Sequence, residues 1–462
     1  MIGEANGRTP VGNHLPHHLP PHPRDAACVR ELADGATIVA GNAGDHPLVL
    51  QLLVETRHAP RAEDFQSRLD EPNYRPSDRL LVRRDHALLA HVHVANHIGW
   101  FEGQRVPLAK FEDFAALPEY GHAGYDGELL ETAAEIAASE GAVLAVAHSE
   151  SPDAFLRRGW SLLRGQGRTR ANARAVLAHL DAAQAVRKRR GKPPLEIRTW
   201  RHIELDAIRA VYEAAAGDLW GPLLRSEAAW QWVIGRKAQD QILIAVDIRD
   251  ASPEDSARDL LNAGGRVVGY AVVRGSLIIE MMTLEEFGAA RTQLLARACQ
   301  DAMDRDHQSI SLNTPASDPL HELLVTAGGA WIGDAATGNS RWLAKLLAPE
   351  KWVDRFYPTW HERARAAGIA RPLEIGFVAE DERCRFTLTR RSSRWERATE
   401  LPPSWVECSR ATLDSLLLGN LSVPASATHG RLKLSRPELA AELAAIFAPR
   451  LFWQSALELM RL

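Results

Sequence analysis

The glycine-rich turn Leu117-Pro-Glu-Tyr-Gly-His-Ala-Gly124 runs directly into the helix-forming stretch Tyr125-Asp-Gly-Glu-Leu-Leu-Glu-Thr-Ala133. A chain that leaves a strand, turns tightly and starts a helix leaves several N–H groups unpaired at the helix N-terminus. The helix dipole favours an anion there as well. A pyrophosphate would rest against Gly121, His122, Ala123, Gly124, Tyr125 and Asp126. Asp126 would repel it unless its side chain turns away to cap the helix. Upstream, Glu112 and Asp113 stand on the extended run Val106–Leu117, where a carboxylate can take a proton through water. Side chains alternate along a strand, so only one of the two faces a cleft. Surface solubility is the plainer account of either. His91, His93 and His97 share parity on one strand, a spacing suited to a metal or a proton relay. Hydrogen-bonded strand histidines explain the same pattern, and no metal centre is expected.

These residues need a frame of strands and helices. Thr37–Ala40 reads as a strand and Asp45–Thr56 as a helix, with a second helix near Ala62–Leu69. Arg79–Arg84 and Ala87–Ala95 read as strands around Asp85-His86. The helix Gly127–Ser139 follows the glycine turn, then a strand at Val143–Ala147 and a helix at Pro152–Arg158. From Ile197 the same element order recurs, with a polar insertion at Arg249–Gly264. The repeated copy places Glu285-Glu-Phe-Gly-Ala-Ala290 at the turn position, with two carboxylates where a phosphate would bind. His321 is a further candidate base. Trp220, Trp230 and Trp232 fall on a helical period and read as core. Trp100-Phe101 reads as the wall of a small-molecule site or as core packing. Near the C-terminus, Leu439, Leu443, Phe447, Leu451 and Phe452 form an apolar stripe expected to be buried.

The chain has 462 residues, and at roughly 150 residues per domain about three domains are expected. The expected divisions are a His/Pro-rich disordered leader at 1–35, a first α/β region at 36–165 and a helical linker at 166–194. A second copy at 195–347 and a different α+β unit at 348–462 complete the chain. Hydrophobic residues make up 45% and charged residues 25%, ordinary for a soluble globular chain. The formal net charge of −4 argues against a general nucleic-acid binder. The basic run Arg187-Lys-Arg-Arg190 could be a nucleic-acid patch, but a solvated helix end is favoured because cations suit a helix C-terminus. Cys28, Cys299, Cys384 and Cys408 are far apart and form no CxxC pair, so reduced thiols in a cytoplasmic protein are expected. No segment has the roughly 20 apolar residues that span a bilayer, and no membrane partner is expected.

Pro118-Glu-Tyr120, the short glycine loop and the Leu-Leu helix together resemble the acyl-CoA loop of GNAT-type N-acetyltransferases. Trp405-Val-Glu-Cys-Ser409, Leu413–Gly419 and His429-Gly-Arg-Leu432 resemble the sterol-carrier-like domain that follows tandem GNAT domains. The layout is similar to the enhanced-intracellular-survival type acetyltransferases. That resemblance implies two tandem GNAT-like mixed-sheet domains followed by a sterol-carrier-like α+β domain, the last covering the cleft and helping to form a homo-oligomer. It implies acetyl-CoA as cosubstrate and an amine of a small molecule or peptide as acceptor. The carbonyl would be held by backbone groups of Phe114, Ala115, Ala116 and Leu117, and the chain's terminal carboxylate, on Leu462, would reach the site. Family members commonly place a Tyr general acid before a glycine-aromatic pair. This chain has Phe155-Leu-Arg-Arg-Gly159-Trp160, so water or another residue, Tyr125 among them, would protonate the thiolate. The alternative is a catalytically decayed acyl-CoA sensor or scaffold, and a lipid carrier is a third reading.

Overall fold

Glu112 lies on a strand in the middle of a nine-stranded mixed sheet. The computed structural model describes residues 29–56, 60, 62–164, 167–187, 195–248, 265–333 and 340–459. The first 28 residues of the expected leader, the whole of the expected insertion at Arg249–Gly264, and Leu462 lie outside the described residues.

The first sheet takes Arg30–Glu31 (β1), Thr37–Ala40 (β2), Arg79–Arg84 (β3), Ala87–Phe101 (β4), Gln104–Ala116 (β5), Leu144–Ser149 (β6) and Ser161–Leu162 (β7). Its order is β1-β2-β3-β4-β5-β6-β16-β7, where β16 is Arg341–Leu346. A strand at Trp220–Leu223 (β10) pairs with the far end of β4. Two helices, His46–Glu55 (α1) and Ala62–Leu69 (α2), cover one face and put Val49, Leu52, Leu53 and Phe65 against Leu81, Leu88 and Ala115. The other face is covered by Tyr125–Ser139 (α3). Its Leu129, Leu130, Ala133 and Ala137 repeat at helical spacing and pack on Ile38, Val82, Val92 and Phe111.

The second sheet has the order β15-β8-β14-β13-β12-β11-β9. Its strands are Gly167–Asn172 (β8), Glu196–Thr199 (β9), Gln241–Asp247 (β11), Arg266–Arg274 (β12), Leu277–Thr283 (β13), Ser309–Leu312 (β14) and Ala330–Gly333 (β15). A third sheet, ordered β19-β18-β17-β20-β21, takes Leu373–Ala379 (β17), Glu382–Leu388 (β18), Ser393–Arg397 (β19), Trp405–Cys408 (β20) and Lys433–Leu434 (β21). Against it packs the helix Pro349–Ala366.

The sheets trade strands across the expected divisions. Residues 167–172, expected in a helical linker, pair with β14 and β15 of the second sheet. Residues 341–346, expected in the second copy, pair instead with β6 and β7 of the first. Each crossing strand alternates or buries its side chains in the foreign core, as Leu343 and Ala344 do. Residues 30–31, expected in the leader, pair with β2. Trp220 is on a strand rather than a helix, because Pro222 interrupts any helical run there. Trp230 is buried as expected, Trp232 is half-buried, and Leu451 is exposed while Phe452 is buried.

The third unit is stapled to β16 by a buried acid. The Asp414 carboxylate accepts from the Leu346 N–H at 2.9 Å and from Arg410 Nε at 3.1 Å. Burial, only partly offset by Arg410, pushes its pKa up to about 6. A raised carboxyl pKa favours the folded state while protonated, so this contribution is complete at low pH and lost as pH rises through about 6. The loss from pH 4 upward should be roughly 2–3 kcal/mol. Asp414→Asn should remove that slope, checked by urea midpoints of both proteins from pH 4 to 8. Parallel midpoint curves for the two proteins would refute the assignment.

Candidate active site

Strand β5 is paired on both sides only along part of its length. Its parallel ladder with β6 runs from Leu108↔Leu144 to Phe111↔Ala147. The antiparallel ladder with β4 continues to Ala90↔Ala116. Beyond Phe111, therefore, β5 and β6 split, and the edge of β5 faces a cleft. At the split the β4–β5 register jumps from His93↔Glu112 to His91↔Ala115, so Asp113 and Phe114 stand opposite the single residue Val92. This is a β-bulge, and Asp113 takes the left-handed region with φ of 52°. Aspartate tolerates that region better than most residues.

A cavity of about 430 Å³ opens at the split. Phe114–Pro118 line one wall, Glu150–Ala154 after β6 line the other, and Gly121, Tyr125 and Asp126 form the floor. Pro118–Ala123 is a short 3-10 helix rather than an open turn, and Gly124 at φ 71° reverses the chain into α3. Gly124 is thus the N-cap, and Asp126 does not cap the helix from outside as expected. Its carboxylate accepts from the Gly127 N–H at 2.8 Å and from Arg157 at 3.0 Å. That pairs its charge with Arg157, which lines the same cavity. The Ala115, Ala116 and Leu117 backbone follows the bulge, and the Leu117 N–H is bound to the Leu89 carbonyl at 2.9 Å. His122 and Ala123 are in the 3-10 turn.

Tyr125 is buried, and its hydroxyl donates to Asp34 and accepts from Arg84 Nη1 at 3.4 Å. The Asp34 bond raises the phenol pKa, which makes Tyr125 a poorer acid. Phe155, at the position where the resemblance implies a tyrosine, is fully buried, with its ring edge-on to Phe114 at 5.1 Å and Trp160 at 5.0 Å. It packs in the core with those two rings and has no acidic proton to give.

The face of the bulge under α2 is charged. Glu112 meets Lys110 Nζ at 2.7 Å and Arg68 Nη1 at 3.1 Å. Burial opposes its ionisation, but Lys110 and Arg68 outweigh that and hold its pKa well below the usual carboxylate range. Asp113 lies 3.7 Å from Arg68 and 3.6 Å from Arg79. The same contest of burial against these two cations leaves it at about 2. Alternation expected one of the pair in the cleft; the bulge instead lets Arg68 reach both. His91 bridges the Asp113 carbonyl at 2.9 Å and Arg79 at 3.0 Å. Burial, helped by Arg79, holds it neutral. His97 is pushed down to about 3, mainly by burial and then by Lys110. Among the described residues no group of three or more metal-ligating side chains could hold an ion. Arg68, Arg79 and Lys110 were not singled out from the sequence. A cation two residues before a strand carboxylate, as in Lys110-Phe-Glu112, was the available signal.

The second copy also has a cavity, of about 400 Å³, lined by Arg201, Glu204, Val211, Arg266 and Leu284. Its His321 hydrogen-bonds Thr169 at 2.8 Å and Thr314 at 3.2 Å, which fastens the crossing strand β8. Glu285–Phe287 forms a 3-10 turn before a helix at Gly288–Asp304, with both carboxylates exposed. Trp100 is half-buried and Phe101 fully buried in the core.

A mixed sheet whose parallel pair splits at a bulge and feeds a helix N-terminus is the GNAT-type fold, and this chain has it. It is similar to the crystal structure of a conserved Enterococcus faecalis protein described as a probable N-acyltransferase. There the identity is 14% and the TM-score 0.69, over 91% of this chain and 99% of that one. A GCN5-related N-acetyltransferase from Kribbella flavida matches with 14% identity and a TM-score of 0.65, over 91% and 97%. Eis1 from Mycobacterium abscessus matches with 15% identity and a TM-score of 0.60, over 90% and 98%. No family model matches the sequence, and no curated protein sequence matches it either. Among the described residues, no helix is long and apolar enough to cross a membrane.

Proposed function

We propose that this protein transfers an acetyl group from acetyl-CoA to a primary amine of a small molecule or peptide by direct attack. The observation that carries this reading is the cavity where β5 leaves β6 beside the start of α3. Chains of similar fold described as acetyltransferases support it. The thioester lies along the free edge of β5 at Phe114–Ala116, where backbone groups polarise its carbonyl, the Leu117 N–H being taken by Leu89. The pyrophosphate meets the Gly121–Asp126 corner, with the helix N-terminus and Arg157 supplying positive potential. Glu112 and Asp113 shape the field at the bulge. Their depressed pKa values make both weak proton acceptors near neutral pH. The departing thiolate takes its proton from solvent, since Phe155 has none to give. The third unit, read as sterol-carrier-like, closes over the first sheet and supports assembly.

Asp126, Glu150 and Asp153 line the same corner against Arg157, which favours a second reading, a sensor that binds acyl-CoA without turnover. Titrating acetyl-CoA by calorimetry and measuring thiol release with an amine present separates the two. Gly121 has no atom within 4 Å of where a Cβ would stand, so Gly121→Trp should fold and fill the cavity. It should weaken acetyl-CoA by about tenfold or more, roughly 1.4 kcal/mol. Wild-type affinity in that variant would mean the cosubstrate sits elsewhere. No binding by the wild type would end both readings.

A further inference from the structure

A transfer of this kind sheds a proton from the attacking nitrogen, and some base near the bulge must collect it. Four possible proton acceptors meet there, His91, His93, Glu112 and Asp113, and three are engaged. His91 has both ring nitrogens bonded, to the Asp113 carbonyl and to Arg79. Glu112 is held by Lys110 and Arg68, and Asp113 lies between Arg68 and Arg79. His93 is the exception. It is 1% exposed, and neither ring nitrogen has a hydrogen-bond partner among the described residues. Its Nδ1 lies 3.6 Å from Glu112 Oε2, directly across the β4–β5 ladder and too far for a hydrogen bond. Leaving a buried polar atom unpaired costs about 1–3 kcal/mol. Two such atoms on one ring, beside a fixed carboxylate and one residue from the bulge, match a base awaiting its proton.

We propose that His93 is the proton acceptor of the transfer and that Glu112 is the positioning residue behind it. This rests on the acetyl-transfer reading above. The amine nitrogen bonds to the carbonyl carbon, the C–S bond breaks, and its electron pair leaves with the CoA sulfur. The proton shed by nitrogen goes to His93 Nε2 through water, since His93 is not among the residues that line the cavity at Phe114–Pro118. The anionic Glu112 then closes on Nδ1–H and stabilises the imidazolium, as a carboxylate behind a catalytic imidazole does. Lys110 and Arg68 keep that carboxylate ionised whether His93 is neutral or charged. The other groups facing His93 are His91 and His97 from β4, Glu71 beyond α2, and the Tyr74 ring at 5.5 Å.

The test uses the full chain with acetyl-CoA and hydrazine, a minimal nucleophile that needs no recognition. At a fixed concentration of unprotonated hydrazine, the wild-type rate of thiol release should fall toward acid. His93→Gln should lower kcat about 100-fold, keep acetyl-CoA affinity within about twofold, and lose that acid limb. Activity within about threefold of wild type overturns the proposal, and so does a slow variant that keeps the acid limb. A wild-type rate that is flat toward low pH overturns it without any variant, should His93→Gln fail to fold. Failure of the wild type to bind acetyl-CoA would show instead that the underlying reading is wrong.

Discussion

Replacing Arg225 with Met should destabilise the protein by about 3–5 kcal/mol, because it strips the shared partner from two carboxylates in the core. Arg225 donates to both oxygens of Glu280, at 2.9 and 2.6 Å, and its Nε reaches Glu458 at 3.0 Å. Its guanidinium also sits over the Tyr212 and Trp230 rings at 4.3 and 4.7 Å. Glu280 belongs to β13, whereas Glu458 belongs to the C-terminal turn Ala456–Glu458, so one side chain locks the tail onto the second sheet. Burial works against ionising Glu280, yet Arg225 keeps its pKa below the ordinary value. Glu458 is raised, burial outweighing the same arginine. Without Arg225 both glutamates become acids with raised pKa. Stability of the variant then falls as pH rises, so the gap to wild type should widen from pH 5 to pH 8. Thermal unfolding at the two pH values checks this. A gap below about 1 kcal/mol, or one that narrows toward pH 8, would refute it. Adding Glu280→Gln and Glu458→Gln to the variant should recover part of the loss, since neutral amides no longer bury charge.

The same residues show what a sequence can reveal and what it cannot. The start of α3 was legible because Gly124, the Leu129-Leu130 pair and the alanines after it are local signals with a local cause. The shared parity of His91 and His93 was legible for the same reason, since a strand fixes which side chains share a face. The bulge was not. Nothing in Glu112-Asp113-Phe114 distinguishes a regular strand from one with Asp113 at positive φ, because the extra residue is defined only against β4. Nor does Gly167–Asn172 state which sheet it joins. Its alternating burial fits any half-buried strand, and the choice is made by Ser309–Leu312 more than a hundred residues later. The partners of Glu112 were hidden likewise. Arg68 comes from a helix more than forty residues upstream, and its approach depends on how α2 lies across the sheet. Such contacts follow from tertiary packing, which single-residue patterns do not encode.

The crossing strands make the first and second sheets mutually dependent, and an aromatic seam does the same for the third unit. Trp352 on the helix Pro349–Ala366 is fully buried. Its ring meets Phe101 of β4 at 5.5 Å, Trp220 of β10 at 5.8 Å and Phe356 at 4.4 Å. Its Nε1 donates to the Leu417 carbonyl at 3.1 Å. One side chain therefore joins the end of the strand that carries His93, the strand β10 lent from the expected second copy, and the third unit. Trp352→Ala should cost about 3–5 kcal/mol from the cavity and lost burial, with a further penalty for the stranded Leu417 carbonyl. Trp352→Phe keeps most of the ring contacts and should cost less. Phe101 and His93 are separated by about 26 Å along β4 at the rise of an extended strand. Acetyl-CoA affinity of the Ala variant should therefore stay within about twofold below its melting temperature, while that temperature drops by several degrees. Differential scanning calorimetry and cosubstrate titration on one preparation decide the matter. A variant as stable as wild type would show that the seam is not what joins the third unit to the first sheet. A stable fold with lost affinity would show that β4 transmits strain from the seam to the bulge.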